Sequence, residues 1–144
     1  LAERAQETGA ILVVDEPFMD FVVKTETVVP EVLNNPALVV VGSLTKFFAL
    51  PGLRLGYLAA ARSIRNKVSR HLPPWQVNLL AQMAGEASLE DRSYIENTLK
   101  IVYREKDFLY QRLQAIPGLL PYPPRANSIF GRLPEQRQNG GRDK

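Results

Sequence analysis

Apolar residues fall along this chain in two rhythms, short unbroken runs early in the sequence and then stripes at helical spacing. Ile11-Leu-Val-Val14 and Leu38-Val-Val-Val41 are continuous and β-branched, the composition of strands buried on both faces of a parallel sheet. The first run delivers Asp15 to its carboxyl end; the second, after the Asn34-Asn-Pro36 turn, delivers Gly42, Ser43 and Lys46 to the same kind of edge. Leu55-Gly-Tyr-Leu-Ala59, beyond the Pro51-Gly52 turn, reads as a third strand. Leu1–Thr8 reads as the end of a helix that Gly9 stops in left-handed conformation, so the chain is expected to begin in mid-fold.

The later pattern is helical. Ser63 to Leu72 predicts a helix that Pro73-Pro74 breaks, and Val77, Leu80, Ala81, Ala84 and Ala87 give the next helix an apolar face expected to be buried. From Ser93, whose spacing to Glu96 matches a capping box, a long helix carries Ile95, Leu99, Val102, Leu109 and Leu113 on one stripe until Pro117-Gly118. Tyr94, Tyr103 and Tyr110 are expected to pack with their polar tips in water. Ser128 to Leu133 predicts one further strand, and Pro134–Lys144, polar and without period, reads as disordered or foreign.

Composition narrows the chemistry. With 144 residues and 45% hydrophobic content, one ordinary core, or a piece of one, is expected. The net charge of +3 is spread over interleaved cations and carboxylates, which does not imply nucleic acid. Zero cysteines exclude disulfide, thiolate and Cys-ligated metal chemistry, and the single histidine, His71, removes a multi-histidine metal site, so no metal is expected. No apolar run approaches the ~20 residues of a membrane span, so no membrane partner and a cytoplasmic location are expected. The basic stretch Arg62, Arg65, Lys67 and Arg70 reads as a solvated helix face, and His71 as a complement to a helix dipole.

Open α/β sheets bind ligands beyond the carboxyl ends of their strands, so the polar residues at those ends are the candidates for chemistry. In Ser43-Leu-Thr-Lys-Phe-Phe-Ala-Leu-Pro-Gly-Leu-Arg-Leu-Gly56, a hydroxyl, an ammonium, a guanidinium and two glycines that permit close backbone approach are compatible with a phosphate cradle, and equally with a loop that carries two ordinary surface cations.

The spacing Ser43-x-x-Lys46, with Arg54 eight residues later, resembles the fold-type-I pyridoxal-phosphate enzymes of the class I/II aminotransferase superfamily. The resemblance implies that Lys46 binds pyridoxal 5'-phosphate covalently, with Ser43, Thr45 and Arg54 near its phosphate. Asp15, in Asp15-Glu-Pro-Phe18, matches the residue that pairs with the cofactor's ring nitrogen, and Phe18, where many relatives carry Tyr, offers packing without a phenol. Asp-Glu-Pro-Phe-Met-Asp-Phe21 and Pro74-Trp-Gln-Val-Asn-Leu-Leu-Ala-Gln-Met-Ala-Gly-Glu86 narrow the likeness to the threonine-phosphate decarboxylases of cobalamin synthesis, with histidinol-phosphate aminotransferases as near relatives. Trp75 and Asn78 also have a purely structural account, an aromatic packed at a helix start and a polar residue near its first turn.

The likeness runs from Ala10 to Leu133. It implies an α/β fold: residues 1–90 as part of the large cofactor-binding domain, mainly parallel sheet with helices; 91–133 as a connecting helix and the start of a small C-terminal domain; and 134–144 as the tail. A phosphorylated amino acid as substrate and a homodimeric parent are implied as well. Decarboxylation, amino transfer and a module that has lost the chemistry all stay open, since the residues that choose between them do not align with this chain. The family's upstream half supplies the aromatic that stacks on the cofactor and the first phosphate-binding turn, so the isolated chain is expected to show little or no turnover.

Overall fold

The computed structural model describes residues 1–22 and 27–134. Helix α1 (Ala2–Thr8) ends at Gly9, whose φ of 69° is left-handed. The Gly9 N–H donates to the Gln6 carbonyl and the Ala10 N–H to the Ala5 carbonyl, closing a complete Schellman motif. The chain then enters β1 (Leu12–Asp15), which pairs in parallel with β2 (Leu38–Ser43). The crossover between them includes 3₁₀ turns at Met19–Phe21 and Val29–Leu33.

Strand β2 is central: Leu38 and Val40 are fully buried, and Val39 and Gly42 are buried beside them. Its other neighbour, β3 (Gly56–Ala60), runs antiparallel, so the three-stranded sheet has the order β1-β2-β3 with one parallel and one antiparallel pairing. Strand β1 departs from expectation. It alternates between half-buried and exposed residues, and Ile11 and Val13 stand 58% and 59% exposed, because nothing among the described residues covers that face.

Helix α3 (Arg62–Ser69) follows β3, and α4 (Leu79–Glu90) follows the double proline. Asn78 caps α4, its Oδ1 accepting the Ala81 N–H at 2.9 Å. The expected burial of α4 is confined to Ala81 and Gly85; Leu79, Leu80 and Met83 are exposed. At Gly85 the helix backbone comes so close to the residue before β3 that an added Cβ would lie 2.5 Å from Leu55 Cδ2, while most of its larger apolar side chains stay exposed. Trp75 is not packed at the helix start: it is 95% exposed, with a φ of 61°.

The long helix α5 (Arg92–Gln114) is capped by Asp91, not Ser93: Asp91 Oδ1 accepts the Tyr94 N–H at 2.9 Å. Asp91 also closes α4 by donating its own N–H to the Ser88 carbonyl, so the two helices meet at one residue and the cap falls earlier than the Ser93/Glu96 pattern suggested. The upper part of the predicted stripe, Ile95, Leu99 and Val102, packs on a core of Phe21, Phe47 and Phe48. Phe47 sits 5.1 Å from both Phe21 and Phe48, ring centroid to ring centroid, in tilted and edge-on arrangements of the kind that contribute about 0.5–1.5 kcal/mol beyond burial.

Beyond α5, β4 (Leu120–Pro121) pairs antiparallel with β5 (Gly131–Arg132), a shorter strand than Ser128–Leu133 suggested. Of the tail, residues 135–144 lie outside the described residues. No helix among the described residues is long and apolar enough to cross a membrane.

Candidate active site

The register of β1 and β2 sets Asp15 opposite Val41, two positions before Ser43. At ~4.8 Å between strands and ~3.3 Å per residue, the Asp15 and Ser43 backbones lie on the order of 8 Å apart at one sheet edge. The two strand ends therefore converge as the sequence pattern predicts. The Asp15 side chain is exposed and accepts no hydrogen bond from the described residues.

Ser43 turns β2 into α2 (Leu44–Phe47). Its hydroxyl caps this short helix by accepting the Thr45 N–H at 3.3 Å, and it lies 2.8 Å from Thr45 Oγ1. Thr45 is buried and its hydroxyl is turned to Ser43, so it stands behind Ser43 rather than beside it at the surface. Lys46 follows on the exposed side of α2, between buried Thr45 and Phe47. This alternation anchors the helix through its neighbours, and no hydrogen bond or ion pair holds the Lys46 side chain among the described residues.

Arg54 is exposed and left-handed, φ 53° and ψ 47°, with Nη1 donating to the Pro51 carbonyl at 3.3 Å. The Leu44 N–H donates to the Leu55 carbonyl at 3.2 Å, which holds the residue after Arg54 against the first turn of α2. A non-glycine left-handed residue costs roughly 1–2 kcal/mol, so this backbone is held by its surroundings. Phe18 is 45% exposed in the turn after β1. Among the described residues no three His, Cys, Asp or Glu side chains gather in a form that could hold a metal ion.

Three features escaped the sequence reading. Glu16, next to Asp15, is buried at 6% exposure; its carboxylate accepts the Thr27 hydroxyl and, at 2.9 Å, the Val28 N–H. Asp20 is pushed above the usual carboxylate range by burial and then by the Glu16 charge. Tyr57 is likewise raised, by burial first and then by Asp20 and Glu16. The Tyr57 ring lies across Gly42, its partner in the ladder: a Cβ on Gly42 would fall 2.1 Å from Tyr57 Cζ. A glycine opposite an aromatic was the available signal, and strand pairing was needed to read it. The third feature concerns Tyr94 and Tyr103, half-buried residues whose hydroxyls donate to the Phe47 and Phe21 carbonyls at 3.1 Å each.

One edge of an α/β sheet thus carries, from a parallel strand pair, a carboxylate with no partner among the described residues, a helix-capping serine and an exposed lysine. Residues 1–136 match the profile of Aminotransferase class I and II, and the chain belongs to that family. Within it, the chain is 38% identical to the threonine-phosphate decarboxylase of Salmonella typhimurium over 131 residues, 90% of this chain and 36% of that protein. The histidinol-phosphate aminotransferase of Clostridium acetobutylicum superposes with a TM-score of 0.80 at 29% identity, over 94% of this chain and 41% of that one. That of Sinorhizobium meliloti, solved in complex with pyridoxal-5'-phosphate, has the same fold, with a TM-score of 0.75 at 18% identity over 89% of this chain and 36% of that one. The chain thus spans little more than a third of the relatives it matches.

Proposed function

We propose that this chain is the lysine-bearing segment of a pyridoxal-phosphate-dependent decarboxylase of threonine phosphate. The observation that carries the proposal is the register that brings Asp15, Ser43 and Lys46 to one sheet edge. The residues fit the cofactor chemically: Asp15 offers a carboxylate with no partner among the described residues, Ser43 offers a hydroxyl to a phosphate, and Arg54 offers an exposed guanidinium. In this reading residues 1–90 belong to the cofactor-binding domain, and α5 leads into a smaller one.

Pyridoxal phosphate, when bound, supplies an electron sink for the pair left behind when a bond at the substrate α-carbon breaks. Asp15 would hold a proton on the ring nitrogen, since an opposite charge favours the charged form. Ser43 and Arg54 would bind the phosphate, with Thr45 fixing the Ser43 hydroxyl, and Phe18 would pack beside the ring. Lys46 Nζ would carry the cofactor covalently and, once displaced by substrate, return a proton to the α-carbon after carbon dioxide leaves.

Assay of the full-length parent tests this. Carbon dioxide release from threonine phosphate without a keto acid is expected. Keto-acid-dependent amino transfer would instead establish the aminotransferase reading, which the fit to the Clostridium acetobutylicum enzyme favours. Borohydride reduction in the presence of pyridoxal phosphate should label Lys46 on peptide mapping. A full-length protein never labelled there would support a module without the chemistry.

A further inference from the structure

We infer that Glu16 is a positioning residue that aims Asp15, and that it acts through its bonds to Thr27 and Val28 rather than through its charge. The inference rests on the cofactor role proposed for Asp15.

Asp15 gets no help from its own side chain, which takes no hydrogen bond from the described residues. Its direction is therefore set by the main chain at the end of β1. Glu16 fixes that main chain from three sides. Its N–H donates to the Val41 carbonyl at 2.8 Å, adding one rung to the β1–β2 ladder just past Asp15. Its two carboxylate oxygens are taken separately, Oε2 by the Thr27 hydroxyl and Oε1 by the Val28 N–H at 2.9 Å. Thr27 Oγ1 in turn accepts the Val29 N–H at 3.2 Å, which ties the clamp to the 3₁₀ turn at Val29–Leu33. Successive side chains along extended backbone point to opposite faces, so a Glu16 anchored inside holds Asp15 pointing out.

Stability alone gives a poor account of this carboxylate. A buried charge is expensive to desolvate even when fully bonded, and an apolar side chain of similar volume often serves a core as well or better. The Glu16 charge also opposes ionisation of Asp20 in the turn that follows and of Tyr57 in β3. A carboxylate that disfavours a neighbouring charge yet has each of its two oxygens held by one short segment serves to fix direction.

The test uses the full-length parent loaded with pyridoxal phosphate, and reads cofactor affinity and the pH midpoint of the cofactor's visible band beside the thermal midpoint. Glu16→Ala should weaken cofactor affinity by about tenfold, the scale on which supporting hydrogen bonds tune a site, and move the band midpoint in the same direction as Asp15→Asn. Glu16→Gln, which keeps an acceptor for Val28 and can bond a Thr27 hydroxyl turned around, should restore both readouts. If Glu16→Ala fails to fold, Thr27→Val, which removes one arm of the clamp and keeps the charge, should show a smaller shift of the same sign. Affinity and midpoint unchanged in the folded variants, or Glu16→Gln as impaired as an alanine variant, would overturn the inference. If Asp15→Asn itself leaves the band unmoved, the cofactor role of Asp15 fails instead, a separable result.

Discussion

The hydroxyl of Tyr94 donates a hydrogen bond of 3.1 Å to the carbonyl of Phe47, joining the long helix to the residue next to Lys46. The same ring stacks on Phe48 at a centroid distance of 6.0 Å and meets Phe47 edge-on. Tyr94→Phe keeps the stacking and removes the bond, so it should destabilise the protein by about 1 kcal/mol, the usual net value of one hydrogen bond. Urea unfolding of the two proteins side by side measures it; an unchanged midpoint would show that the bond contributes nothing.

Gly42 leaves no room for a side chain beneath the Tyr57 ring. Gly42→Ala should cost roughly 1–3 kcal/mol through overpacking. In a Tyr57→Ala background the same substitution should cost clearly less, because residues in direct contact couple. A double-mutant cycle on thermal stability gives the coupling, and additive effects would contradict the contact.

Asp20 gives a pH dependence with a definite sign. Burial and the Glu16 charge raise its folded pKa above the ordinary value of 3.8, so between those two values the folded state binds more protons than the unfolded state. Stability contributed by this group is therefore greatest in acid and declines as pH rises through the folded pKa. Asp20→Asn should be more stable than the parent at neutral pH, with the advantage shrinking as pH falls towards 3.8. Thermal midpoints measured across that range in both proteins would show it; a constant difference would not fit.

Arg54 combines a charge suited to phosphate with a left-handed backbone suited to glycine or asparagine. Arg54→Asn should leave stability unchanged or raise it by up to about 1 kcal/mol, while weakening binding of pyridoxal phosphate to the full-length parent. Calorimetry of unfolding and of cofactor binding would separate the two effects.

Much of this arrangement was legible in the residues. Unbroken β-branched runs ending in Asp15 and Ser43 announced parallel strands with converging ends, and Gly9 announced the end of α1, because each rests on local chemistry. The misreadings share a cause. The burial expected at Val13 and Leu80 depends on what lies across from those residues, which periodicity along one chain does not report. The Ser93 cap lost to Asp91 because two acceptors, one residue apart on either side of Arg92, competed, and the end of α4 decided between them. Glu16 was passed over since a carboxylate after a strand looks like any loop acid until Thr27 and Val28 come round to meet it.

The single residue shared by α4 and α5 leaves no slack between them. One extra amino acid after Asp91 would turn all of α5 by about 100° about its own axis and slide it by ~1.5 Å. The hydroxyls of Tyr94 and Tyr103 would swing away from Phe47 and Phe21 together. The length of that junction is thus encoded as strictly as the identity of any side chain, and an insertion there should be tolerated far less well than one in the Pro121–Phe130 loop.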